Sequence, residues 1–476
     1  MEQIPSIGKP FVYTGQDDVP KDVVAVEFSQ SVEEVAAGAF RECRELRYLF
    51  LNEGLRKIGA SAFIGCNSLA TINLSSTVIE MGADAFWGCV ALKDLTLNEG
   101  LKKIGARAFS VCKSLENIIL PSSVTQIGEA AFFRCSRLRA VVLNEGLQRI
   151  EARTFYGCTS LESTLLSSSI NEIGEGAFNR CSALKDVALN QGLRKIGSRA
   201  FDQCSVLERI VLPSSVIDIG EAVFNRCIGP KDVVFNEGLK KIEKSSFYGC
   251  KCLESIMLPS STIEICEWAF YCCIALREVV LNEGLQNIRG YAFYECSYLE
   301  SIILPSSAIE IGQDTFSRCS ALRNVVPNEG LQKIGERAFC FCKCLESIII
   351  PSSVLKIGKN AFWHCSALRD VVLNEQLQTI GERAFNGSYL ESFKFPSISM
   401  RLESIGCEMG RNKVLNEIHE IPGIAVIDGE IFISRAILEG VEGWTACKEI
   451  INRTLGLIAS YELKEATTVF ELALWK

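Results

Sequence analysis

The sequence contains few of the side chains that acid–base or metal chemistry requires. It has two histidines, His364 and His419, in different segments. A Cys–His or Ser–His pair needs a base held beside the nucleophile, and His364 occupies a position where related segments carry arginine, such as Arg134 and Arg318. We therefore predict no catalytic residue and no enzyme activity.

Cysteine is the abundant reactive residue, with 22 copies. Cys340, Cys342 and Cys344 alternate closely, but no set of histidines accompanies them, so we expect no zinc site. The Ile-Gly pairs recur with a fixed spacing unrelated to a phosphate-binding loop, and no acidic run has the spacing of a calcium loop. The sequence therefore predicts no cofactor and no metal.

A 23-residue repeat determines where these residues fall. Phenylalanine recurs at this interval from Phe40 to Phe385 in sixteen consecutive units, and in fifteen of them a cysteine follows three residues later, from Cys43 to Cys365. One cysteine per unit favours a buried column of free thiols over a disulfide framework. In the sixteenth unit one residue and the cysteine are missing.

Each unit begins with the pattern L-x-x-I-x-L, as in Leu115, Ile118 and Leu120. Alternation of period two predicts a short strand with these side chains inward. The next turn alternates between Pro-Ser-Ser-Val and Asn-Glu-Gly-Leu, so the full period is 46 residues. The segment Ile-Gly-x-x-Ala-Phe that follows predicts one or two helical or 3₁₀ turns.

The pattern L-x-x-I-x-L-P-S-S-V-x-x-I-G-x-x-A-F-x-x-C closely resembles the BspA-like leucine-rich repeats of bacterial surface proteins and protist proteins. The resemblance covers about residues 23–396. It implies a curved solenoid used for protein or cell-surface binding and carries over no catalytic residue. The expected fold class is an α/β repeat, a leucine-rich-repeat solenoid with a continuous parallel β-sheet on the concave face and short helical or 3₁₀ turns on the convex face.

The expected organisation has three parts. Residues 1–28 form an N-terminal cap with a partial rung that includes Val23, Val26 and Phe28, and residues 29–396 form the sixteen-unit solenoid. Residues 397–476 form a C-terminal cap or a small α+β extension, with a β segment around Ile424–Ile433. This extension ends in an amphipathic helix from Ser460 through Leu474, which either caps the solenoid or docks a partner.

The residue between the last two inward positions of each strand points outward and is apolar in twelve consecutive units. Strand propensity alone explains such a row, and so does a binding surface. We treat it as the candidate ligand-binding ridge, formed by Ile119, Val142, Leu165, Val211, Val234, Met257, Val280, Ile303, Val326, Ile349 and Val372. Ala188 is the smallest member of the same row.

A second outward column alternates in charge, from Lys93 and Glu116 to Arg369 and Glu391. Opposite charges on neighbouring strands stabilise each other by about 0.2–1 kcal/mol, so this column is expected to pair with itself. Proline replaces a strand leucine at Pro230 and Pro327, where we expect local loosening because proline cannot donate a ladder hydrogen bond.

The composition narrows the class of partner. The net charge of −8 disfavours a nucleic-acid partner, since phosphate binding needs a basic surface. No apolar run is long enough to span a membrane, and Met1–Gly15 shows no signal peptide. We expect a cytoplasmic, non-catalytic scaffold, favoured as a monomer, that binds a protein or peptide on the concave strand face. The alternative is a cell-surface or secreted adhesin of the BspA-like type.

Overall fold

The computed structural model describes residues 9–389 apart from residue 375, and the backbone of seven later strands. The chain forms two compact units, Met1–Gly238 and Leu239–Lys476. In each unit a 23-residue repeat makes one coil, and each coil contributes a long strand of mostly three residues and a short strand of two. Neighbouring coils pair in parallel and one repeat apart, as with Ile118 and Val141.

Long strands of the first unit such as Asn117–Ile119 and Ala140–Val142 bury their central residue and expose the two residues beside it, as the alternation predicts. In Asp94–Thr96 and Asp186–Ala188 the central residue is half-buried, and in Phe11–Tyr13 the last residue is the buried one. They pair in sections of at most four within this unit, so the predicted sheet is parallel but divided into sections. These strands are Phe11–Tyr13, Ala25–Phe28, Tyr48–Phe50, Thr71–Asn73, Asp94–Thr96, Asn117–Ile119, Ala140–Val142, Ser163–Leu165, Asp186–Ala188, Ile210–Val211 and Asp232–Val234.

Each short strand of the first unit ends on a buried apolar residue, which is isoleucine in most coils. In most coils a glycine follows this residue directly. They form one sheet of five strands and one of four. They are Glu34–Val35, Lys57–Ile58, Glu80–Met81, Lys103–Ile104, Gln126–Ile127, Arg149–Ile150, Glu172–Ile173, Lys195–Ile196 and Asp218–Ile219.

The second unit repeats this arrangement, and its short strands form one sheet of eight. Its long strands are Ser255–Met257, Glu278–Val280, Ser301–Ile303, Asn324–Val326, Ser347–Ile349, Asp370–Val372 and Ser392–Lys394. Its short strands are Lys241–Ile242, Glu264–Ile265, Asn287–Ile288, Glu310–Ile311, Lys333–Ile334, Lys356–Ile357, Thr379–Ile380 and Arg401–Leu402. The strand before Pro327 has three residues and pairs with Ser301–Ile303, but the section of sheet ends there and the next section begins at Ser347–Ile349.

Five further strands are described near the C-terminus: Cys407–Met409, Ile424–Ile427, Glu430–Ser434, Thr468–Val469 and Leu472–Trp475. The predicted β segment is present, with Ile424–Ile427 antiparallel to Glu430–Ser434. The predicted C-terminal helix is wrong where the backbone is described, because Leu472–Trp475 is a strand parallel to Glu430–Ser434. The first part of that predicted helix, from Ser460, lies outside the described residues.

The core of each unit is a set of stacked columns. The phenylalanine rings lie face to face, with centroids 4.9–5.6 Å apart from Phe40 to Phe224 and 5.1–5.4 Å apart from Phe247 to Phe385. The inward leucines and isoleucines and the repeat cysteines are buried beside them. The N-terminal strand continues the aromatic column, since the buried ring of Tyr13 lies 5.0 Å from that of Phe40. Stacking thus buries apolar surface that one coil alone cannot bury.

The prediction of helical turns after the Ile-Gly step is wrong, because no helix occurs among the described residues. In all sixteen units the backbone has a positive φ two residues before and two residues after the phenylalanine, as at Arg107 (54°) and Val111 (64°). This alternation directs every second N–H to the next coil, so that Phe109 N donates to Ala131 O at 2.8 Å. A helix would direct those N–H groups along its own axis instead.

The two turn types alternate because each one bonds the other. The amide Nδ2 of Asn144 donates to the carbonyl oxygens of Pro121 and Val124 in the preceding coil, and its Oδ1 accepts from Gly146 N at 2.8 Å. In the other turn type, Ser123 Oγ donates to Leu101 O at 2.7 Å and Ser122 Oγ to Glu99 Oε2 at 3.0 Å. Each turn type thus bonds the opposite type in the preceding coil, and this pattern of bonds recurs with the 46-residue period.

Candidate functional site

The outward residues of the long strands form an exposed apolar row in each unit. The unit 1 stripe consists of Ile119, Val142, Leu165, Ala188, Val211 and Val234, and the unit 2 stripe of Met257, Val280, Ile303, Val326, Ile349 and Val372. Apart from Ala188 and the half-buried Val372, these side chains are 41–71% exposed. Parallel pairing in register places successive members side by side, as with Ile119, Val142 and Leu165.

A shallow cavity of about 170 Å³ interrupts the unit 1 stripe at Ala188. The four-strand section of sheet ends at Asp186–Ala188, and the next section begins at Ile210–Val211. The small side chain of Ala188 leaves space beside Val211, and Arg209 and Asp186 lie at the edge of that space. The space at this notch is about the size of one apolar side chain.

Members of the charged column beside the stripes form ion pairs with one another across neighbouring coils. Ion pairs join Lys93 to Glu116 at 3.8 Å, Arg277 to Glu300 at 3.9 Å and Arg323 to Glu346 at 3.5 Å. All six side chains are more than a third exposed, so each pair contributes little to stability. Their effect is to leave the stripes beside a surface with balanced charge.

A second charge column escaped the sequence reasoning, although its alternation is visible in the residue before each buried isoleucine. On the short strands Lys57 Nζ lies 2.9 Å from Glu34 Oε1, and Lys103 Nζ lies 3.1 Å from Glu80 Oε1. In the second unit Lys241 Nζ lies 2.9 Å from Glu264 Oε2. These pairs link successive coils and bring no unpaired charge to the stripes.

The residues singled out for chemistry have structural surroundings. The ring of His364 stacks on Phe341, with centroids 5.2 Å apart and planes 8° apart, and His419 lies outside the described residues. Cys340 and Cys342 are buried. Within residues whose placement is described, no group of three His, Cys, Asp or Glu is arranged to hold a metal ion.

The cysteine column is part of the core, as predicted. Cys43 Sγ donates to Pro20 O, and in later coils the thiols donate to the carbonyl oxygen of the phenylalanine in the preceding coil, as Cys135 Sγ does to Phe109 O at 3.1 Å. Burial raises the pKa of Cys89 and of Cys135 to about 12. Because the thiolate is the reactive species, these cysteines are held in an unreactive form.

No helix in the described part of the chain has both the length and the apolar character needed to cross a membrane.

The repeat matches a sequence profile described as the BspA type leucine rich repeat region (6 copies). The matched segments are 21–127, 102–231, 195–301, 229–326 and 286–412. A search of curated proteins gave no match.

Among solved structures, a leucine-rich repeat protein from Bacteroides ovatus is 31% identical with a TM-score of 0.64, and the match covers 67% of this chain and 82% of that one. A leucine-rich repeat protein from T. pallidum is 35% identical over 34% of this chain and 77% of its own, with a TM-score of 0.33. A leucine rich cell surface protein from Faecalibacterium prausnitzii is 22% identical over 81% of this chain and 90% of its own, with a TM-score of 0.38. The first of these has the same parallel-stranded repeat fold.

Proposed function

Because the chain belongs to the BspA-type leucine-rich-repeat family, we propose that it is a non-catalytic scaffold that binds a protein or peptide through the apolar stripes of its strand face. The observation that carries the proposal is the exposure of the stripes. Contiguous apolar surface of this kind is uncommon on a protein that has no partner.

Strand propensity does not account for the stripes as well as binding does. Propensity favours β-branched residues wherever they point. Two of the most exposed members, Leu165 at 71% and Met257 at 67%, are unbranched at Cβ and gain little from such a preference. A flexible, polarisable methionine is typical of surfaces that adapt to a partner.

The features around the stripes favour a polypeptide ligand with apolar side chains. The charged columns are paired internally, so the surface offers little to a strongly charged ligand, and the net charge of −8 disfavours nucleic acid. The notch at Ala188 has room for one side chain beside Val211. An extended segment or a protein loop that lies along the stripe and inserts one apolar side chain at Ala188 fits these features.

Aspartate substitutions test the proposal in each unit separately. A partner captured by the parent chain is identified by mass spectrometry and prepared pure, and its affinity is measured by surface plasmon resonance. We expect Val211→Asp, or the pair Val280→Asp and Ile303→Asp, to weaken binding at least tenfold, because a buried unpaired carboxylate is costly at an interface.

The matched controls are Ile217→Asp in the first unit and Ile309→Asp in the second. Both isoleucines are exposed, at 64% and 41%, but neither belongs to a stripe. Unchanged affinity of both stripe variants would overturn the proposal. Equal losses in the stripe and control variants would show that charge, and not the stripe, is responsible.

The proposed location is the cytoplasm, with the chain acting as a monomer. This proposal is supported by free thiols near the surface, where Cys252 is exposed and Cys266, Cys272 and Cys344 are half-buried, since reducing compartments preserve such thiols. A cell-surface or secreted adhesin is the alternative that the family allows. Surface proteolysis of intact cells, followed by immunoblotting, separates the two, because only an adhesin would be cleaved.

A further inference from the structure

Most coils contain a glycine directly after the buried isoleucine of the short strand, and there the backbones of successive coils approach closely. A Cβ atom added to Gly128 would lie 2.3 Å from Ala106 N, and one added to Gly335 would lie 2.6 Å from Gly312 C. Three successive coils of the second unit depart from this rule and carry Glu243, Cys266 and Arg289 instead. A Cβ atom at these positions occupies space that the glycines of the other coils leave to the neighbouring backbone.

A surface cavity of about 280 Å³ lies beside this break in the repeat. The hydrogen bond from Trp268 N to Gly290 O is 3.2 Å long, whereas the equivalent bond one coil later, from Tyr291 N to Gln313 O, is 2.8 Å. Among the equivalent bonds of the described coils that carry this position, the one from Trp268, beside the cavity, is the longest. The side chains that line it and could contact a ligand include those of Glu267, Trp268, Arg289, Tyr291, Glu310 and Gln313.

Aromatic rings form one part of the cavity and its surroundings. The rings of Trp268 and Tyr291 have centroids 6.0 Å apart and planes inclined by 48°, and both side chains are half-buried. Beside them Tyr294 stacks on Tyr271 at 4.7 Å, which holds this group of rings in place. Partly exposed Trp and Tyr rings provide flat apolar surface together with polar atoms at the ring edge.

The charged groups of the cavity are already paired within the protein. Arg289 Nε lies 2.6 Å from Glu264 Oε1, Glu267 Oε2 lies 3.6 Å from Lys244 Nζ, and Glu310 is paired with Lys333. No large charge of one sign is therefore directed at a ligand. The polar groups still offer both donors and acceptors, and Gln313 Nε2 donates to Tyr291 Oη at 3.0 Å.

We propose that this cavity binds one neutral sugar ring of a glycan. Such a ring has an apolar face, which would lie against Trp268 or Tyr291, and hydroxyls that both donate and accept hydrogen bonds, which suits Glu267, Glu310 and Gln313. The volume is slightly below the roughly 300–1,000 Å³ of sites for drug-sized ligands, which fits one ring better than a longer segment. This site shares no residue with the unit 2 stripe and does not depend on peptide binding there.

Saturation-transfer difference NMR on the full chain tests the proposal with methyl pyranosides of glucose, galactose, mannose and N-acetylglucosamine, each at millimolar concentration. At least one glycoside is expected to give a signal with the parent chain. Trp268→Ala is expected to reduce that signal at least fivefold, while Trp87→Ala, a matched substitution of a partly exposed tryptophan in the first unit, leaves it unchanged.

Two further variants keep the test decisive if Trp268→Ala fails to fold, as judged by circular dichroism. Tyr291→Phe keeps the ring and removes the hydroxyl, and should weaken binding by about two- to fivefold. Arg289→Gly restores the repeat glycine and should reduce binding by allowing the coils to approach. The anionic sugar N-acetylneuraminic acid is tested in the same way as a control. The proposal is overturned if none of the four neutral glycosides binds, whether or not the anionic sugar does. It is also overturned if every folded cavity variant binds as the parent does.

Discussion

The repeat cysteine has a defined polar role within an apolar core. Its Sγ–H donates to a phenylalanine carbonyl of the preceding coil, at 3.2 Å for Cys66 and Phe40. The sixteenth unit keeps this bond without a cysteine, since Ser388 is buried and its Oγ donates to Phe362 O at 3.3 Å. The interpretation that this unit had simply lost the cysteine position is therefore incomplete. A short donor side chain is required there, and cysteine supplies it with little polarity.

Thiol modification of the native chain should separate the surface cysteines from the column. With a pKa of about 12, a column thiol such as Cys89 is ionised to about one part in 10,000 at pH 8, and it is also inaccessible. We expect iodoacetamide at pH 8 to label Cys252 within minutes and the column only after unfolding, as measured by peptide mass spectrometry.

The Cys252→Ser variant is the control for this experiment and should lose the fast label. Fast labelling of Cys89 or Cys135 in the native chain would contradict the buried column.

The turn between the short strand and the phenylalanine is built from alternating backbone conformations. Non-glycine residues occupy most of the positive-φ positions, including Arg153 and Trp268, although that region costs roughly 1–2 kcal/mol per residue. Hydrogen bonds to the next coil offset this cost. Arg153 N, for example, donates to Glu175 O at 2.8 Å. The glycine before this segment has a different purpose, because it permits contact between backbones.

Two glycine substitutions should distinguish these purposes. Gly128→Ala places a Cβ 2.3 Å from Ala106 N and should destabilise the first unit by about 3 kcal/mol through overpacking. Gly88 has a φ of 73° and open space around its missing Cβ, so Gly88→Ala should cost only about 1 kcal/mol. Urea denaturation followed by circular dichroism measures both, and equal midpoints would refute the close-approach explanation.

Across the first unit, three features alternate with the same two-coil period. The turns alternate between the two types, the strand-face column alternates between residues such as Glu116 and Arg139, and the short-strand column alternates between residues such as Arg149 and Glu172. Neighbouring coils therefore have opposite turn types and opposite charges in both columns only if the repeat grows by two coils at a time. The stable structural element is therefore the pair of coils, although stacking and burial repeat with every coil.

Deletions in the first unit test this period directly. Removing residues 121–166 deletes two coils and leaves Glu116 beside Lys185 and Lys103 beside Glu172, which are opposite charges. Removing residues 121–143 deletes one coil but leaves Glu116 beside Glu162 and Lys103 beside Arg149, and it places two Asn-Glu-Gly-Leu turns together. Like charges on neighbouring strands are destabilising.

We therefore expect the longer deletion to unfold at the higher temperature, although it removes twice as many residues. Thermal unfolding of the two purified proteins, monitored by circular dichroism, measures the difference. A higher midpoint for the shorter deletion would show that the number of coils matters more than their alternation.

The sequence by itself determined the repeat, the inward residues and the outward direction of the stripes. Whether a side chain such as Ile118 or Ile119 points inward depends on local alternation along one strand, and that pattern is written in the residues themselves. The 46-residue period was likewise visible, but its cause, the bonds of Asn144 and Ser123 to the preceding coil, needed the structure.

Only the tertiary structure decided the conformation of the turns, the division of the sheet at Ala188 and the cavity beside Trp268. Each depends on how closely one coil approaches the next and on hydrogen bonds between residues about 23 apart. Ala, Phe, Glu and Arg at positive φ carry no local mark of that conformation, so a helix was the expectation. The sequence shows that Cys266 and Arg289 replace the repeat glycine. Why this matters is visible only in the structure, where the glycines of the other coils lie against the backbone of the neighbouring coil.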